Sequence, residues 1–179
     1  MDRYVALLRG INVGGKNKLS MSELKEELKK DEFTDVVTYL NSGNVIFSSN
    51  REDPQILANK MRTRIKLGFE LDIPIHVILQ AELKELLANA PEWWGDENKE
   101  IYDNVIFMMK PLSFEVLLTE IGEPKADFER VYPYKDIVFW SFIRKEHQKT
   151  NWWAKTAKPK VKYQLTIRTA NTVRKIVDM

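Results

Sequence analysis

The sequence predicts an α+β protein made of two ferredoxin-like βαββαβ units, a duplication with antiparallel or mixed sheets, followed by a C-terminal helix. Apolar runs of strand length alternate with segments of helical periodicity in the order strand, helix, strand, strand, helix, strand, and this order occurs twice. The two middle strands of each repeat are separated by a short turn, which predicts a hairpin. With 44% hydrophobic residues among 179, the chain can bury a substantial core.

The first predicted unit spans residues 1–80. Its first strand is the apolar run RYVALLRGI, residues 3–11, and Ser20 with Glu23 forms a capping box that starts the first helix. Asn41 to Gly43 predict a hairpin turn, because Asn and Gly tolerate positive φ. The remaining elements are strands 35–40, 44–49 and 73–79, and a helix that begins at Asp53 and Pro54 and ends near Gly68.

The second predicted unit spans residues 81–179. It opens with a linking helix that stops before Pro91, because the residue before a proline disfavours helical geometry. The other elements are strand 104–110, a helix capped by Ser113 and ended by Gly122, a hairpin turning at 133–136, a basic helical segment, strand 164–168 and a final helix.

Several function classes are excluded or disfavoured by composition. The chain has no cysteine, which excludes disulfides, thiol catalysis and thiolate metal sites. No metal-binding spacing joins the two histidines, His76 and His147, so no metal and no cofactor are expected. No secretory leader and no apolar run of about 18 residues is visible, which predicts a cytoplasmic protein without membrane association. No nucleophile or acid–base pair emerges, and whether the chain is an enzyme stays open.

Positive charge is concentrated near the C-terminus. Residues 1–143 hold 18 Lys and Arg against 24 Asp and Glu, whereas residues 144–179 hold 10 against 2. This segment fits either a surface for nucleic acid or a tail that docks on the acidic body of its own chain. Its Trp152–Trp153 pair lies among lysines, as on single-strand nucleic-acid platforms, but adjacent tryptophans also clamp loops to a core.

Two polar loops are expected to meet at one edge of the first sheet. In a βαββαβ unit, the end of the first strand, the start of the first helix and the hairpin tip share an edge, which brings residues 9–20 and 41–44 together. A helix N-terminus, flexible glycines and nearby cations together attract anions. The glycine spacing of GINVGGKNK matches neither G-x-G-x-x-G nor the phosphate loop, so the glycines fit equally well a surface connection that needs positive φ.

Three strings, ALLRGINVGGKNKLSM, YLNSGNVIFSS and TIRTANTVRK, resemble the bacterial domain-of-unknown-function family 1697. The resemblance implies a small cytoplasmic bacterial protein of duplicated α+β architecture, without an established activity. In the family pattern a tryptophan stands between the tail arginine and the Asn-Thr pair, whereas Thr169 and Ala170 lie there in this chain. A tail site built around an aromatic is therefore not expected. The residues that match the strings are Arg9, Gly10, Asn12, Gly14, Gly15, Ser42, Gly43, Asn44, Arg168, Asn171 and Thr172.

The leading functional hypothesis is a binding protein for an anionic ligand, either a phosphorylated small molecule or nucleic acid, at the edge formed by loops 9–20 and 41–44. The alternative is a structural or protein-interaction module that forms a homodimer and takes no small-molecule ligand. The candidate ligand-binding residues are Arg9, Gly10, Asn12, Gly14, Gly15, Lys16, Ser42, Gly43, Asn44, Arg168 and Asn171.

Overall fold

A computed structural model describes the chain from Met1 to Met179, except for the side chain of Pro159. The chain forms two compact units, Met1–Lys84 with Ile176–Met179, and Glu85–Lys175. The first part of the chain contains β1 (Asp2–Leu8), α1 (Met21–Leu28), β2 (Thr34–Tyr39), β3 (Asn44–Ser49), α2 (Pro54–Phe69), β4 (Ile75–Leu79) and α3 (Gln80–Ala88). The second part contains β5 (Ile101–Met108), α4 (Phe114–Ile121), β6 (Glu129–Tyr134), β7 (Ile137–Ile143), a 3-10 helix (Arg144–Lys149), α5 (Trp152–Lys155), α6 (Pro159–Lys162), β8 (Leu165–Thr169) and α7 (Ala170–Val177).

The sheet of the first unit has the order β2-β3-β1-β4, and all its neighbours are antiparallel. Strand β1 is central: Ala6 pairs with Val45 on one side and with Val77 on the other. Helices α1 and α2 each connect two strands that have a third strand between them, which is the ferredoxin-like arrangement. The predicted fold class is confirmed for this unit.

Both faces of β1 are buried, as its nearly continuous apolar run predicts. On one face Tyr4 stacks on Phe47 with ring centroids 5.5 Å apart, and α1 and α2 cover this face. Val5 and Leu7 on the other face are also fully buried. Each such side chain contributes about 1.5–3 kcal/mol when it leaves water. The helix residues in this core are Leu24, Leu28, Leu57, Ala58, Met61 and Ile65.

The second unit repeats the same topology. Its sheet has the order β6-β7-β5-β8, again with antiparallel neighbours, and Ile106 on the central strand pairs with Val138 and Ile167. The fold class of two βαββαβ units is therefore confirmed, and both sheets are antiparallel rather than mixed. The helical side of the second sheet packs around Trp140, Phe142, Leu117, Ile121, Trp152 and Val161.

The second crossover of the second unit differs from that of the first. Where α2 is one helix of 16 residues, the second unit has the 3-10 helix, α5 and α6 in succession. We call residues 144–163 the basic segment. It turns Trp152 and Val161 into the core, where they are 0% and 1% exposed. One tryptophan of the pair thus anchors the segment to its own unit.

A buried carboxylate holds the basic segment in place. Glu129 on β6 is 3% exposed, and its oxygens accept hydrogen bonds from four N–H groups. Because two of these belong to Asn151 and Trp152, the carboxylate satisfies backbone donors at the start of α5, as an N-cap side chain does. The donors are the backbone N–H of Lys125 (3.0 Å), Asn151 (2.6 Å) and Trp152 (3.3 Å) and the indole N–H of Trp140 (3.1 Å).

Some element boundaries differ from the predicted ones for identifiable reasons. Strand β1 ends at Leu8 rather than near residue 11, because Gly10 and Asn12 have positive φ and turn the chain. Helix α2 continues through Gly68, which faces the side chain of Glu27, and ends at Phe69, where Glu70 caps it in the left-handed conformation.

Gly43 sets how closely the β2–β3 turn approaches β1. Its φ is +89°, its carbonyl accepts the N–H of Leu8 at 2.8 Å, and an added Cβ would lie 2.7 Å from the Leu8 Cβ. We expect Gly43→Ala to lower the free energy of unfolding by about 2–4 kcal/mol, from left-handed strain and overpacking together. Gly14→Ala is the matched control: its φ is +58° and nothing lies within 4 Å, so strain alone should cost about 1 kcal/mol. Equal losses in urea denaturation would contradict this explanation.

Glu129→Gln should destabilise the second unit by about 2–3 kcal/mol, because an amide cannot accept from donors on both of its heavy atoms. The measurement is chemical denaturation monitored by tryptophan fluorescence. Exposed Glu97 serves as a control, and Glu97→Gln should change the stability by less than about 0.5 kcal/mol. If Glu129→Gln were as stable as the wild type, the carboxylate would not be what anchors the basic segment.

Candidate functional site

The opening loop between β1 and α1 is a small hairpin. Val13 and Lys16 form a β-bridge, the N–H of Lys16 donates to the Val13 carbonyl at 3.0 Å, and the N–H of Asn12 donates to Asn17 at 3.2 Å. The central residues Gly14 and Gly15 both have positive φ, the combination that a type I′ turn requires. The turn geometry therefore explains why both positions are glycine, without reference to any ligand.

The side chain of Asn12 connects the opening loop to the β2–β3 turn. Its Nδ2 donates to the carbonyl of Leu19 at 2.9 Å and to that of Asn41 at 2.8 Å, while its Oδ1 accepts the N–H of Leu19 at 2.9 Å. A single amide thus spans two loops separated by 29 residues. The convergence of loops 9–20 and 41–44, expected from topology, has a specific hydrogen-bonded basis.

A depression of about 510 Å³ lies beside this junction, at the amino end of α1, and we call it the α1 hollow. Among the described residues that line it, Lys18 is the one charged side chain. Ser20 caps α1 by accepting the N–H of Glu23 at 3.4 Å, and its hydroxyl lies 2.9 Å from that of Ser22. The lining residues are Asn12, Gly15, Lys18, Leu19, Ser20, Met21, Ser22 and Asn41.

The α1 hollow lies at the positive end of a helix dipole, and the first turn of that helix also carries the exposed carboxylate of Glu23. The N–H groups in the first turn of a helix have no acceptor within the helix, and here they belong to Met21 and Ser22, which line the hollow. The positive end of the helix dipole adds to the charge of exposed Lys18. The arrangement offers backbone donors, hydroxyls and one cation to an anion.

Asn12 and Gly15 are the predicted site residues that line the α1 hollow. Gly10, Gly14 and Lys16 are exposed on the opening loop. Ser42, Gly43 and Asn44 form the turn beside it, where fully buried Asn44 donates to the Tyr39 carbonyl at 2.9 Å and the Ser42 hydroxyl at 3.1 Å. Arg9 follows β1, half-buried, and its backbone N–H donates to Pro74 at 3.0 Å.

Arg168 and Asn171 lie in the second unit, at the end of β8 and the start of α7. Arg168 is 8% exposed, and its Nη1 donates to Thr166 Oγ1 at 2.8 Å and to the Ile167 carbonyl at 2.9 Å. Asn171 is exposed in the first turn of α7. A ligand-binding role for these two residues stays a prediction.

Of the two histidines, His76 is half-buried on β4, where it pairs with Leu7 of β1, and His147 lies in the 3-10 helix with its ring 4.9 Å from that of Trp153. Within the described part of the chain, no group of three or more His, Asp or Glu side chains is arranged to hold a metal ion. The described helices also include none with the length and apolar character to span a membrane.

Lys18, Ser20 and Asn41 lie within the predicted loops 9–20 and 41–44, but neither they nor Ser22 are among the candidate ligand-binding residues. For Lys18, Ser20 and Ser22 a signal is present in the sequence, because the predicted N-cap at Ser20 places the residues just before and just after it at the helix terminus. The topology of a βαββαβ unit places Asn41 at this edge, but no sequence pattern indicates its direct hydrogen bond to Asn12.

Comparison with known proteins places the chain in a family. A solved structure described as that of conserved bacterial protein SP0830 from Streptococcus pneumoniae is similar over 99% of this chain and 97% of that one, with 29% identity and a TM-score of 0.84. No curated protein matches the chain. The family model described as "Protein of unknown function (DUF1697)" matches residues 1–139, which confirms the resemblance found in the sequence. The chain therefore belongs to the DUF1697 family.

Proposed function

We propose that this protein binds a small anionic ligand, phosphorylated or carrying another oxyanion, in the α1 hollow. The observation that carries the proposal is the lining itself: among the described residues it contains one cation, Lys18, together with the helix N-terminus and two serine hydroxyls, and no carboxylate. Helix N-termini with nearby cations are a recurrent way to bind phosphate groups.

The geometry of the opening loop supports the proposal. The Asn12 side chain fixes Leu19, and with it the chain that leads into the N-cap, so the donors of the hollow are held in place before any ligand arrives. Gly15 has no side chain to fill the hollow, and nothing lies within 4 Å of where its Cβ would be. A site that is already ordered loses less conformational entropy on binding.

A larger depression in the same unit fits an anion less well. It measures about 590 Å³ between the end of α1 and α2, and its cations are Lys60 and Arg64. Both already pair with carboxylates: Lys60 lies 2.7 Å from Glu52, and Arg64 Nε donates to Asp31 at 2.7 Å. An anion there would have to compete with these ion pairs.

A thermal-shift experiment tests the proposal, with inorganic phosphate, sulfate, AMP and ATP as probes. A ligand that binds only the native state at ten times its Kd should raise the Tm by about 3–5 °C for a chain of this size. We expect at least one probe to do so, and we expect Lys18→Ala to remove the shift while leaving the Tm of the free protein nearly unchanged, because an exposed charge contributes little to folding.

Lys29→Ala is the matched control, since Lys29 is an exposed cation just beyond the opposite end of α1 and should not alter the shift. The absence of any shift with all four probes would contradict the proposal, and so would a shift that survives Lys18→Ala. If no probe shifts the Tm and analytical ultracentrifugation shows a dimer, the protein-interaction module is favoured instead. Exposed Val13 and Leu40 would then be its apolar contacts.

A further inference from the structure

The basic segment of the second unit carries a second, separate concentration of charge. Residues 144–163 hold seven Lys and Arg against one Glu. The buried residues of the segment, Thr150, Trp152, Thr156 and Val161, are anchored in the unit, while Lys145, Lys149, Lys158 and Lys160 are exposed. The buried residues therefore hold the segment in place, and its exposed lysines face the solvent.

The first unit provides an internal comparison at the same topological position. Helix α2 also carries four cations, and every one lies within 4.0 Å of a carboxylate. These pairs change the titration of their members: hydrogen bonding to Arg64 lowers the pKa of Asp31, and hydrogen bonding to Glu32 and Glu52 raises the pKa of Lys60. The positive charge of α2 is neutralised within its own unit.

The basic segment is neutralised far less. Among the described residues, Lys149 with Glu146 (2.7 Å) and Lys160 with Glu120 (3.4 Å) are its ion pairs. Lys155 donates instead to the carbonyl of Ile121 at 3.0 Å and to the side-chain oxygen of Asn151, two acceptors that carry no formal charge. Buried Trp152, rather than ion pairing, is therefore what attaches this segment to its own unit.

Two aromatic side chains lie among these cations. Trp153 is 44% exposed and Tyr163 is 61% exposed. The Trp153 ring is held edge-to-face by Phe142, with centroids 5.4 Å apart, and by His147 at 4.9 Å. An aromatic ring that is fixed in orientation yet open to solvent is a platform on which an unpaired base can stack, and surrounding lysines can neutralise the adjacent phosphates.

We propose that the basic segment binds single-stranded nucleic acid, with Trp153 and Tyr163 stacking on bases and the exposed lysines contacting the phosphate backbone. An anionic membrane surface is a less suitable partner, because insertion requires a continuous apolar face. Here Trp152 and Val161 point into the core. The 3-10 helix, α5 and α6 are only six, four and four residues long. This proposal concerns a different surface from the α1 hollow and does not depend on it.

The test is fluorescence anisotropy of a labelled oligo(dT) strand of about 16 nucleotides, titrated with the full chain at several salt concentrations. We expect binding that weakens steeply with salt, because each neutralised phosphate contributes about 0.7 to the slope of log K against log salt. The double variant Lys145→Ala/Lys158→Ala should reduce the magnitude of that slope by about 1.4, because two phosphate contacts are lost. The control pair Arg62→Ala with Lys66→Ala, on α2, should leave the slope and the Kd unchanged.

Stacking is tested separately from charge. Trp153→Ala should weaken binding by roughly 5- to 100-fold, whereas Trp153→Phe, which keeps an aromatic face, should retain most of the affinity. Thermal unfolding of both variants shows whether they are folded, and Tyr163→Ala gives a second stacking variant at a more exposed position, with the same expected direction.

Four results would overturn the proposal. The first is no anisotropy change at about 50 mM salt, where phosphate contacts are strongest. The second is an affinity that none of the segment variants alters. The third is binding to phosphatidylserine vesicles but not to the strand. The fourth is strand binding that Lys18→Ala abolishes, which would assign the strand to the α1 hollow instead.

Discussion

The Asn12 amide is the interaction on which the candidate site depends. Its three hydrogen bonds hold the opening loop against the entry to α1 and against the β2–β3 turn, which Gly43 allows to pack closely on Leu8. Because buried or half-buried amides are costly to leave unpaired, this junction has one preferred geometry. Lys18 lies two residues before the N-cap Ser20 and next to Leu19, whose backbone this junction holds in place.

The two units share a topology but differ in how many cations of the second crossover form ion pairs with carboxylates. In the first unit, each of the four cations of α2 forms an ion pair with a carboxylate. In the second unit a carboxylate, Glu129, is used to anchor the backbone of the basic segment rather than to neutralise its lysines. We therefore propose different classes of anion for the α1 hollow and for the basic segment.

Local patterns were enough to predict the order of elements, because periodicity and caps are properties of neighbouring residues: Ser20 and Ser113 cap helices as expected. They did not show that α2 passes through Gly68, since the close approach to Glu27 depends on another helix. The ligand-binding role of Asn44 stays a prediction; its amide donates within its own turn, to the Tyr39 carbonyl and the Ser42 hydroxyl. Local sequence patterns do not indicate long-range hydrogen bonds such as that between Asn12 and Asn41. The full set of residues that line the site therefore becomes evident only in the folded chain.

The most direct test of the central claim is an amide nitrogen–proton NMR titration of the full chain with inorganic phosphate. If the α1 hollow binds the anion, the largest shift changes should appear at the backbone amides of Gly15, Lys18, Ser20, Met21 and Ser22, and they should saturate. Shift changes that are absent there, or that appear only in residues 144–163, would show that the opening loop turns the chain without binding an anion.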